Sequence, residues 1–532
     1  MNEFANYFQT ICTPNLSDKP LVLTADLSGS LANSGNNIMP DKYQISIEAI
    51  EKIIMESKPG KAAGLDGLMV EHLSFAHPIV MLMLKKLFNV MLEMGYVPTA
   101  FGEGLIIPIP KLSNTSSYAR IEDFRGITIS PVISKVFEHC VLQLFQYYLE
   151  SDPHQFGFKK GKGCRDAVYV VNEIVDYFVT NQSTVNICTV DLSKAFDKLN
   201  HNVLFKKLIE RKTPPCLIRI LIDWYGKCSC IVKYQDCLSR MFLMKQGIRQ
   251  GGVLSPVLFA LYVDDVLKRL NSSSFGCNLF GLDLSALMYA DDIILLTTSV
   301  EHLQKLLDLC NHEFGDVGLK INVSKCAAIR NGPRFKLPCA DLFIGKEVVP
   351  WVYEIKYLGV TFTQGSFLKV SLHANKVKFF SAFNSIYARL GSSASCETLI
   401  QLMKSNCLSA LLYNLESVTL SKSNLNDLSF PLNRAFVKIF HVNDTSSISW
   451  CQFYMCQLPI EFLLDYRKFK FYKKLKSTDC PILEHVFHTL SVETLNNLCL
   501  KYALNIWEKD NVSLFLKTLW GQFHEKLLSI VK

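Results

Sequence analysis

The stretch SALMYADDIILLTTS, residues 285–299, decides the fold of this chain, because it places an aromatic residue two positions before the aspartate pair Asp291 and Asp292. The runs ALMY and IILLT are apolar, β-compatible and too short for helices, so the pair is predicted to lie in a tight turn between two strands. Carboxylates about 4 Å apart repel by roughly 1 kcal/mol in water and about 4 kcal/mol at an effective dielectric constant of 20, which favours a bound cation. An ordinary polar turn is the alternative, although Asn-Gly or Asp-Gly suits that geometry better.

A second aspartate pair, Asp264 and Asp265, stands in the similar stretch FALYVDDVLKRL, residues 259–270. Its apolar residues recur with roughly helical spacing, and the preceding Ser-Pro is typical of a helix start. This pair is therefore predicted to lie on a helix surface, where Lys268 and Arg269 can form ion pairs worth about 0.2–0.5 kcal/mol each. We interpret the pair as structural.

A third carboxylate is expected elsewhere, because a hard cation such as Mg²⁺ usually takes more than one protein carboxylate. In VNICTVDLSKAFDKLNH, residues 185–201, the run 185–190 predicts a buried strand that ends at Asp191, with a helix from Ser193 onward. A carboxylate at the end of a core strand, beside a carboxylate hairpin, forms a site that can hold two metal ions about 3.5–4 Å apart. Taken alone, Asp191 would also fit as a helix N-cap.

The composition is that of a large folded protein with several packed units. The 532 residues are 49% hydrophobic and 20% charged, and the net charge of +8 favours an anionic partner, weakly unless the charges cluster. No apolar run reaches the ~18 residues of a membrane span, and the N-terminus lacks the basic region of a signal peptide. We therefore expect an intracellular protein, in the cytoplasm, the nucleus or both.

The 18 cysteines are scattered singly, so most are predicted to be buried small hydrophobic residues. Cys228 and Cys230 lack a second pair at zinc-finger spacing. The stretch CPILEHVFH, residues 480–488, lacks a fourth metal ligand, and we interpret it as a helix start with Pro481 in the first turn.

An ordered series of motifs identifies the family that the chain resembles. VDLSKAFD, GIRQGGVLSP, MYADD, GLKINVSK and KYLGV follow one another like the palm motifs of reverse transcriptases, specifically those of non-LTR (LINE-type) retrotransposons. Ahead of them, GKAAGLDGL, IIPIPK, DFRGITISPVISKVFE and HQFGFKKGKGCRDA resemble the fingers motifs of that family. The resemblance implies a right-hand polymerase of the α/β (α+β) class. It would have fingers, a palm whose antiparallel sheet carries the carboxylates and packs on helices, and a helical thumb.

The resemblance also implies an order of domains. Residues 1–44 resemble a connector remnant, residues 45–165 the fingers and residues 166–365 the palm, with the reverse transcriptase domain as a whole covering about residues 90–365. Residues 366–532 are expected to form a helical thumb and C-terminal extension. Because complete proteins of this family usually carry an endonuclease, which is not evident here, we expect part of a longer element protein or a truncated genomic copy.

The activity that the resemblance implies is RNA-directed DNA synthesis, by two-metal nucleotidyl transfer to a primer 3′-hydroxyl. The expected cofactor is Mg²⁺, two ions, with Mn²⁺ as a possible substitute. The expected partners are an RNA template, a DNA primer or target DNA, and deoxynucleoside triphosphates. By resemblance, Asp191, Asp291 and Asp292 are the catalytic metal ligands, whereas residues 262–265 match a helix in which the family commonly has a Tyr-x-x-Asp-like sequence.

Other residues acquire roles only through this resemblance. Lys111 and Arg125 match fingers positions that contact the incoming triphosphate, and Lys325 matches a lysine proposed to protonate the leaving group; each could instead be an ordinary surface charge. The nucleotide-binding positions further include Phe196, Gln250 and Gly251. The predicted nucleic-acid contacts are Phe158, Lys159, Lys160, Lys162, Arg165, Tyr357, Leu358, Gly359, Lys470, Lys473 and Lys474.

Two of these segments leave questions open. In RQGG the glycines let backbone approach the nucleotide and the Gln250 amide can bond its sugar or base, but Arg249 stands where proline is frequent in the family, so the loop conformation is uncertain. The segment RKFKFYKKLK, residues 467–476, interleaves six basic residues with three aromatic ones. It suits phosphate contacts and base stacking, or equally a solvated face of an amphipathic helix.

Three alternatives compete with a reverse transcriptase. An RNA-directed RNA polymerase shares the carboxylate hairpin, but Phe196, five residues after Asp191, favours deoxynucleotides because an aromatic ring beneath the sugar excludes a 2′-hydroxyl. An inactive or repurposed nucleic-acid-binding copy is disfavoured by the three intact aspartates. A group II intron maturase is weaker still, since its downstream domains are not evident.

Overall fold

The computed structural model describes residues 2–14, 43–111, 120–391, 393–504 and 511–531. The helices of these residues, numbered along the chain, are α1 (Asn2–Ile11), α2 (Ile47–Glu56), α3 (Val70–Ser74), α4 (Ile79–Met94), α5 (Thr99–Gly102), α6 (Val132–Leu144), α7 (Cys164–Thr180), α8 (Ala195–Lys198), α9 (His201–Glu210), α10 (Pro215–Gly226), α11 (Ser255–Asn271), α12 (Val300–Asp316), α13 (His373–Leu390), α14 (Cys396–Leu402), α15 (Leu408–Leu411), α16 (Lys422–Phe440), α17 (Thr445–Tyr454), α18 (Ile460–Lys476), α19 (Pro481–Val486), α20 (Val492–Lys501) and α21 (Val512–Val531).

The strands are shorter and fall mainly in the first three hundred and seventy or so residues. They are β1 (Glu103–Pro110), β2 (Phe124–Ile129), β3 (Val185–Asp191), β4 (Ser229–Tyr234), β5 (Cys237–Leu238), β6 (Phe242–Leu243), β7 (Cys277–Leu279), β8 (Leu282–Leu284), β9 (Ala286–Tyr289), β10 (Asp292–Thr297), β11 (Ala327–Asn331), β12 (Leu342–Ile344), β13 (Glu347–Val349), β14 (Glu354–Tyr357), β15 (Val360–Thr363) and β16 (Lys369–Ser371).

The chain divides into two compact units and passes between them several times. Unit 1 comprises Met1–Phe158, Leu192–Arg269 and Cys310–Asn322, and unit 2 comprises Lys159–Asp191, Leu270–Leu309 and Val323–Lys532. Each unit contains segments from more than one of the predicted domains, so the units do not coincide with fingers, palm and thumb. The predicted domain boundaries therefore stay a prediction.

Unit 1 is built on a mixed sheet with the order β2-β1-β4-β5, in which β6 also pairs with β4. β1 is antiparallel to β2 and parallel to β4. An aromatic cluster lies in the core beside this sheet, with ring centroids 5.0 Å apart for Phe88 and Phe137 and 5.7 Å for Phe137 and Trp224. The cluster joins α4, α6 and α10, because each helix contributes one of these rings.

Unit 2 contains an antiparallel sheet with the order β11-β3-β10-β9. β3 is almost wholly buried, as the apolar run before Asp191 predicts, and α7 packs against β3 and β9. The small sheet β14-β15-β16 is separate, and an isolated bridge joins Ala328 of β11 to Trp351, shortly before β14. The predicted buried strand before Asp191 and the predicted strand-turn-strand around Asp291 and Asp292 are both confirmed.

The last part of unit 2 is helical, as expected for a thumb and C-terminal extension. Its core packs aromatic rings from α18 and α21, with Phe469 and Phe515 at a centroid distance of 4.3 Å. Pro481 opens α19 as predicted, and His485 Nε2 lies 3.0 Å from the backbone oxygen of Leu279.

The remaining broad expectations are mostly met. The fold is a mixture of helices and sheets with an antiparallel sheet that carries the carboxylates. All 18 cysteines are free, and eleven of them are buried. Among the described residues, none of the helices combines the length and apolar character needed to cross a bilayer. The cellular location stays a prediction.

Candidate active site

The aspartate pair Asp291 and Asp292 lies at the tip of a β-hairpin. β9 ends at Tyr289 and β10 begins at Asp292, so Ala290 and Asp291 form the turn. Ala290 has a φ of 58°, in the left-handed region that L-residues other than glycine seldom adopt. Backbone of this kind is retained at functional sites when the surrounding structure holds it, here between two well-paired strands.

The register of the sheet brings the third carboxylate to this hairpin. Asp292 pairs with Tyr289 on one side and directly with Asp191 of β3 on the other. Residues directly opposite in antiparallel strands share one face and have Cβ atoms about 4.5–5.5 Å apart. Two carboxylates at that separation destabilise the sheet unless a cation lies between or beside them.

Lys325 supplies one positive charge at this point. It ends a short 3₁₀ turn, Val323–Lys325, immediately before β11, and its Nζ lies 3.0 Å from Oδ2 of Asp191. The lysine side chain is 63% exposed, so the pair is a solvated one that contributes little stability. An exposed ammonium of this kind can leave Asp191 for another anion.

The three aspartates fit a hard divalent cation by their chemistry, since all the donors are carboxylate oxygens. Another cluster of possible ligands has all its ligand atoms within 4.8 Å of one another. In the part of the chain that the structure describes, the group of three possible ligands that meets this distance is His312, Glu313 and Asp316 on α12. Two of these are exposed and Glu313 is bonded to Arg269, which makes that group an ordinary surface cluster.

Tyr357 lies close enough to the β9-β10 hairpin for the negative charge of Asp292 to act on its hydroxyl. The side chain is 2% exposed and its hydroxyl has no hydrogen-bond partner in the described structure. Burial raises the pKa of Tyr357 well above its usual value, and the charge of Asp292 raises it further. The ring and hydroxyl of Tyr357 are enclosed in this conformation, and nucleic-acid contact at this residue stays a prediction. The turn at Leu358 and Gly359 remains accessible.

Two residues that the sequence analysis missed hold this turn. Asn414 Nδ2 donates a hydrogen bond to the Leu358 backbone oxygen at 3.3 Å. A Cβ added at Gly359, where φ is 83°, would lie 2.8 Å from Cε1 of Tyr413. No sequence signal marks the pair, since it follows α15 in a region with no recognisable motif.

Cys164, at the start of α7, lies between the tyrosine of the motif and Tyr413. Burial, followed by a hydrogen bond with Cys164, raises the pKa of Tyr289 to about 12, and the same two causes act on Tyr413. The carboxylate hairpin and the turn at Gly359 thus share one set of neighbours within unit 2.

The predicted nucleotide-binding residues lie in unit 1. Phe196 is half-buried on α8 and stacks on Phe259 at 4.5 Å between centroids, with an interplanar angle of 18°. Phe158, which is 54% exposed, meets Phe196 edge-on at 6.2 Å. Phe259 is fully buried and fixes the plane of the Phe196 ring.

Gln250 is held by a carboxylate that the sequence analysis overlooked. Its Nε2 donates to Oδ1 of Asp197 at 2.9 Å, while its backbone oxygen accepts from the Thr128 nitrogen at 2.7 Å. Burial raises the pKa of Asp197, and the bond from Gln250 opposes that rise. The signal that could have found Asp197 is its position directly after Phe196 in VDLSKAFD.

Gly251 occupies a position that excludes a side chain. Its φ is 127°, and an added Cβ would lie 2.4 Å from the backbone oxygen of Thr128. The close approach to β2 is therefore possible for glycine alone.

Arg249 fixes the conformation of the RQGG loop, residues 249–252, which the sequence did not predict. It is buried, its Nη1 donates to the Phe101 oxygen at 3.0 Å, and its guanidinium lies 5.6 Å from the Trp224 ring centroid. Its Nη2 lies 3.5 Å from Oε1 of Glu138, whose Oε2 accepts from the Leu254 nitrogen at 2.7 Å. Side-chain contacts thus fix the loop where the family commonly uses proline.

Lys111 and Arg125 stand at the same end of the β1-β2 hairpin. Arg125 is paired with Ile109, and Lys111 follows the last pair of the ladder. Both side chains are exposed, and Lys111 Nζ donates to the Glu122 oxygen at 2.7 Å. The arrangement suits a shared anion and equally suits two surface charges.

The predicted template segment is partly engaged in ion pairs. Lys160 is exposed and Lys159 and Lys162 are half-buried, whereas Nη1 of Arg165 lies 3.7 Å from Glu416. Glu416 is buried and also binds Arg467 at 2.9 Å.

The segment 467–476 forms most of α18, and its aromatic residues do not face solvent. Phe469, Phe471 and Tyr472 are at most 5% exposed, so these rings are not accessible for base stacking, one of the two alternatives for the segment. Lys474 Nζ lies 3.1 Å from the fully buried Asp166 and offsets its charge, so phosphate contact by Lys474 stays a prediction. Lys470 is exposed and Lys473 half-buried, so phosphate contact by these two stays a prediction.

The helical aspartate pair is structural, as predicted, but Asp264 is not on the surface. It is 1% exposed, and its Oδ2 lies 2.8 Å from Arg211 and 2.6 Å from Lys268. Asp265 is the exposed member and pairs with Lys207 at 2.6 Å. Asp264 is buried because Arg211, which is distant from it in the sequence, packs over the helix at this point.

Comparison with known proteins defines the class to which this site belongs. Residues 109–362 match the family described as "Reverse transcriptase (RNA-dependent DNA polymerase)", so this part of the chain is a reverse transcriptase domain. Members of the family generally use divalent metal ions and bind RNA templates.

The curated relatives are proteins of retrotransposable elements, in agreement with the predicted resemblance to non-LTR retrotransposons. The Pol polyprotein of the type-2 element R2DM of Drosophila melanogaster is 28% identical over 286 residues, covering 52% of this chain and 27% of that protein. The polymerase of the mobile element jockey, also of D. melanogaster, is 24% identical over 435 residues, covering 78% and 45%. The chain thus spans between about a quarter and just under half of the length of these relatives.

Among solved structures, apo telomerase from Candida tropicalis is 15% identical, with a TM-score of 0.40, covering 78% of this chain and 74% of that one. A likeness of that size is too weak to bear on the mechanism.

Proposed function

We propose that this chain copies an RNA template into DNA by extending a primer 3′-hydroxyl, as the polymerase part of a non-LTR retrotransposon protein. The observation that carries the proposal is the direct pairing of Asp292 with Asp191, beside Asp291 at a hairpin tip. Such a set of carboxylates has little structural use, because like charges opposite one another destabilise a sheet.

Asp191, Asp291 and Asp292 would hold two Mg²⁺ ions, for which Mn²⁺ could substitute. The chemistry that bound Mg²⁺ supplies is a lowered pKa of the primer hydroxyl and neutralisation of charge on the triphosphate. Lys325 is exposed and reaches Asp191, so its ammonium can turn from that carboxylate to protonate the departing pyrophosphate.

The residues of unit 1 are assigned to the incoming deoxynucleoside triphosphate. Lys111 and Arg125 would bind phosphate oxygens, Gln250 would bond the sugar or base, and Gly251 would let backbone approach. Phe196 would lie beneath the sugar and reject a 2′-hydroxyl, a role that its half-buried ring stacked on Phe259 supports.

Primer extension tests this proposal. The purified chain is incubated with an RNA template, a DNA primer, Mg²⁺ and deoxynucleotides, and DNA products are resolved by length. We expect extension by the wild-type chain and none by Asp291→Asn or Asp292→Asn, with melting temperatures of both variants no lower than that of the wild-type chain. Extension with ribonucleotides alone would favour the RNA polymerase, and nucleic-acid binding with no extension under any nucleotide would favour the repurposed copy.

A further inference from the structure

A groove with a volume of about 760 Å³ lies between α13 and α16 in unit 2. None of the residues that line it was given a role by the sequence motifs. One wall carries aromatic rings of α13, and the other carries basic side chains of α16 and of the residue that follows it, His441. This combination separates the groove from an ordinary gap between helices.

The basic wall is not neutralised. Arg434 and Lys438 stand one turn apart on α16, where like charges destabilise a helix. No carboxylate lines the groove, and among the described residues none forms an ion pair with either side chain. Both residues are exposed. An anion in the groove would relieve this repulsion.

The aromatic wall fixes one of these cations in place. Lys438 Nζ lies 4.5 Å from the ring centroid of Tyr387 and donates to Oδ1 of Asn384 at 3.3 Å. The Tyr387 hydroxyl in turn donates to the backbone oxygen of Lys438 at 3.0 Å. Phe380, half-buried on the same side of α13, adds a second ring to the groove. The Lys438 ammonium therefore lies over one face of Tyr387, and the ring of Phe380 lines the same groove.

Anionic groups at regular intervals, joined to flat rings, are the chemistry of a nucleic-acid strand. A free phosphate would bind the basic side chains but make no contact with the aromatic rings. An apolar peptide would contact the rings but leave the basic side chains without an anionic partner. In a duplex the faces of the bases are stacked on one another, so aromatic side chains bind unpaired bases preferentially. We propose that this groove binds an unpaired segment of RNA or DNA, with phosphates on Arg434 and Lys438 and a base on Tyr387 or Phe380.

The binding does not depend on polymerase activity, so it is measured without Mg²⁺. Fluorescent oligo(U), oligo(dT) and a duplex of matched length are titrated with the full chain at several salt concentrations, and anisotropy reports the affinity. The groove variant is Arg434→Gln with Lys438→Gln. The control is Lys378→Gln with Lys422→Gln, which removes two exposed charges from the same two helices outside the groove.

We expect the groove variant to weaken single-strand binding and to flatten its salt dependence by about 0.7 log–log units per lost contact, with the control unchanged. Tyr387→Leu is expected to weaken single-strand binding about fivefold to a hundredfold. If Tyr387→Leu lowers the melting temperature, Phe380→Leu is the second ring variant, with the same expected effect. If the groove variant weakens the binding of only one of oligo(U) and oligo(dT), the affected probe identifies whether the groove binds RNA or DNA.

Two results would overturn the proposal. The first is a loss of single-strand binding in the control as large as in the groove variant. The second is a loss on the duplex as large as on the single strands. A chain that binds single strands through the groove but extends no primer would support this inference and refute the polymerase, so the two can fail separately.

Discussion

Replacing Asp264 by Asn tests whether the helical aspartate pair is structural. Asp264 is 1% exposed, its Oδ2 lies 2.8 Å from Nη1 of Arg211 and 2.6 Å from Nζ of Lys268, and its Oδ1 accepts from the Asp152 nitrogen. The Asn side chain has the same shape as Asp264 but carries no negative charge. Its NH₂ group can also point toward the positive charges of Arg211 and Lys268. Breaking a buried ion pair costs about 3–5 kcal/mol, and the partial exposure of Arg211 and Lys268 places this case at about 3 kcal/mol.

The assay is a thermal melt beside primer extension. At about 2–4 °C per kcal/mol for a unit of this size, the melting temperature should fall by about 6–12 °C. Asp265→Asn is the matched control, because that residue is 48% exposed and its pair with Lys207 is worth less than about 1 kcal/mol. Equal shifts for the two variants would refute the reasoning, and so would loss of extension by Asp264→Asn at an unchanged melting temperature.

Three further outcomes are expected. Phe196→Val should keep deoxynucleotide extension within about tenfold, about 1.4 kcal/mol of barrier, and raise ribonucleotide incorporation by much more; equal loss of both, with a lower melting temperature, would mean that the ring only packs. Tyr357→Phe should raise the melting temperature by a few degrees, because it removes a buried hydroxyl without a partner, and a lower value would contradict this. Lys470→Gln with Lys473→Gln should flatten the salt dependence of duplex binding by up to about 0.9 log–log units per contact, and an unchanged slope would make the segment a solvated face.

The elements that the sequence predicted well are those set by local pattern. The apolar run before Asp191 became β3, the two short runs around Ala290 and Asp291 became a hairpin, and Pro481 opened a helix. Each depends on residues within one turn or one strand, where periodicity and start signals are sufficient.

What could not be predicted depends on partners distant in the chain. The burial of Asp264 is set by Arg211, and that of Phe469 on α18 by a core that α21 completes. The clearest case is the turn at Gly359, which is positioned by Asn414 and Tyr413 from a region without motifs. Periodicity identifies an apolar face but does not say which element covers it, so buried charges and orphan hydroxyls were invisible in the sequence.

The contacts of Arg249 have a consequence for how this loop can change over evolution. A proline there would leave the carboxylate of Glu138, which is 2% exposed, without its counter-charge in the interior. Substitution of either residue alone is therefore expected to be harmful, while joint replacement by proline and an uncharged residue is tolerated. Across homologous sequences the two positions should covary, with arginine accompanied by an acid and proline by a neutral side chain.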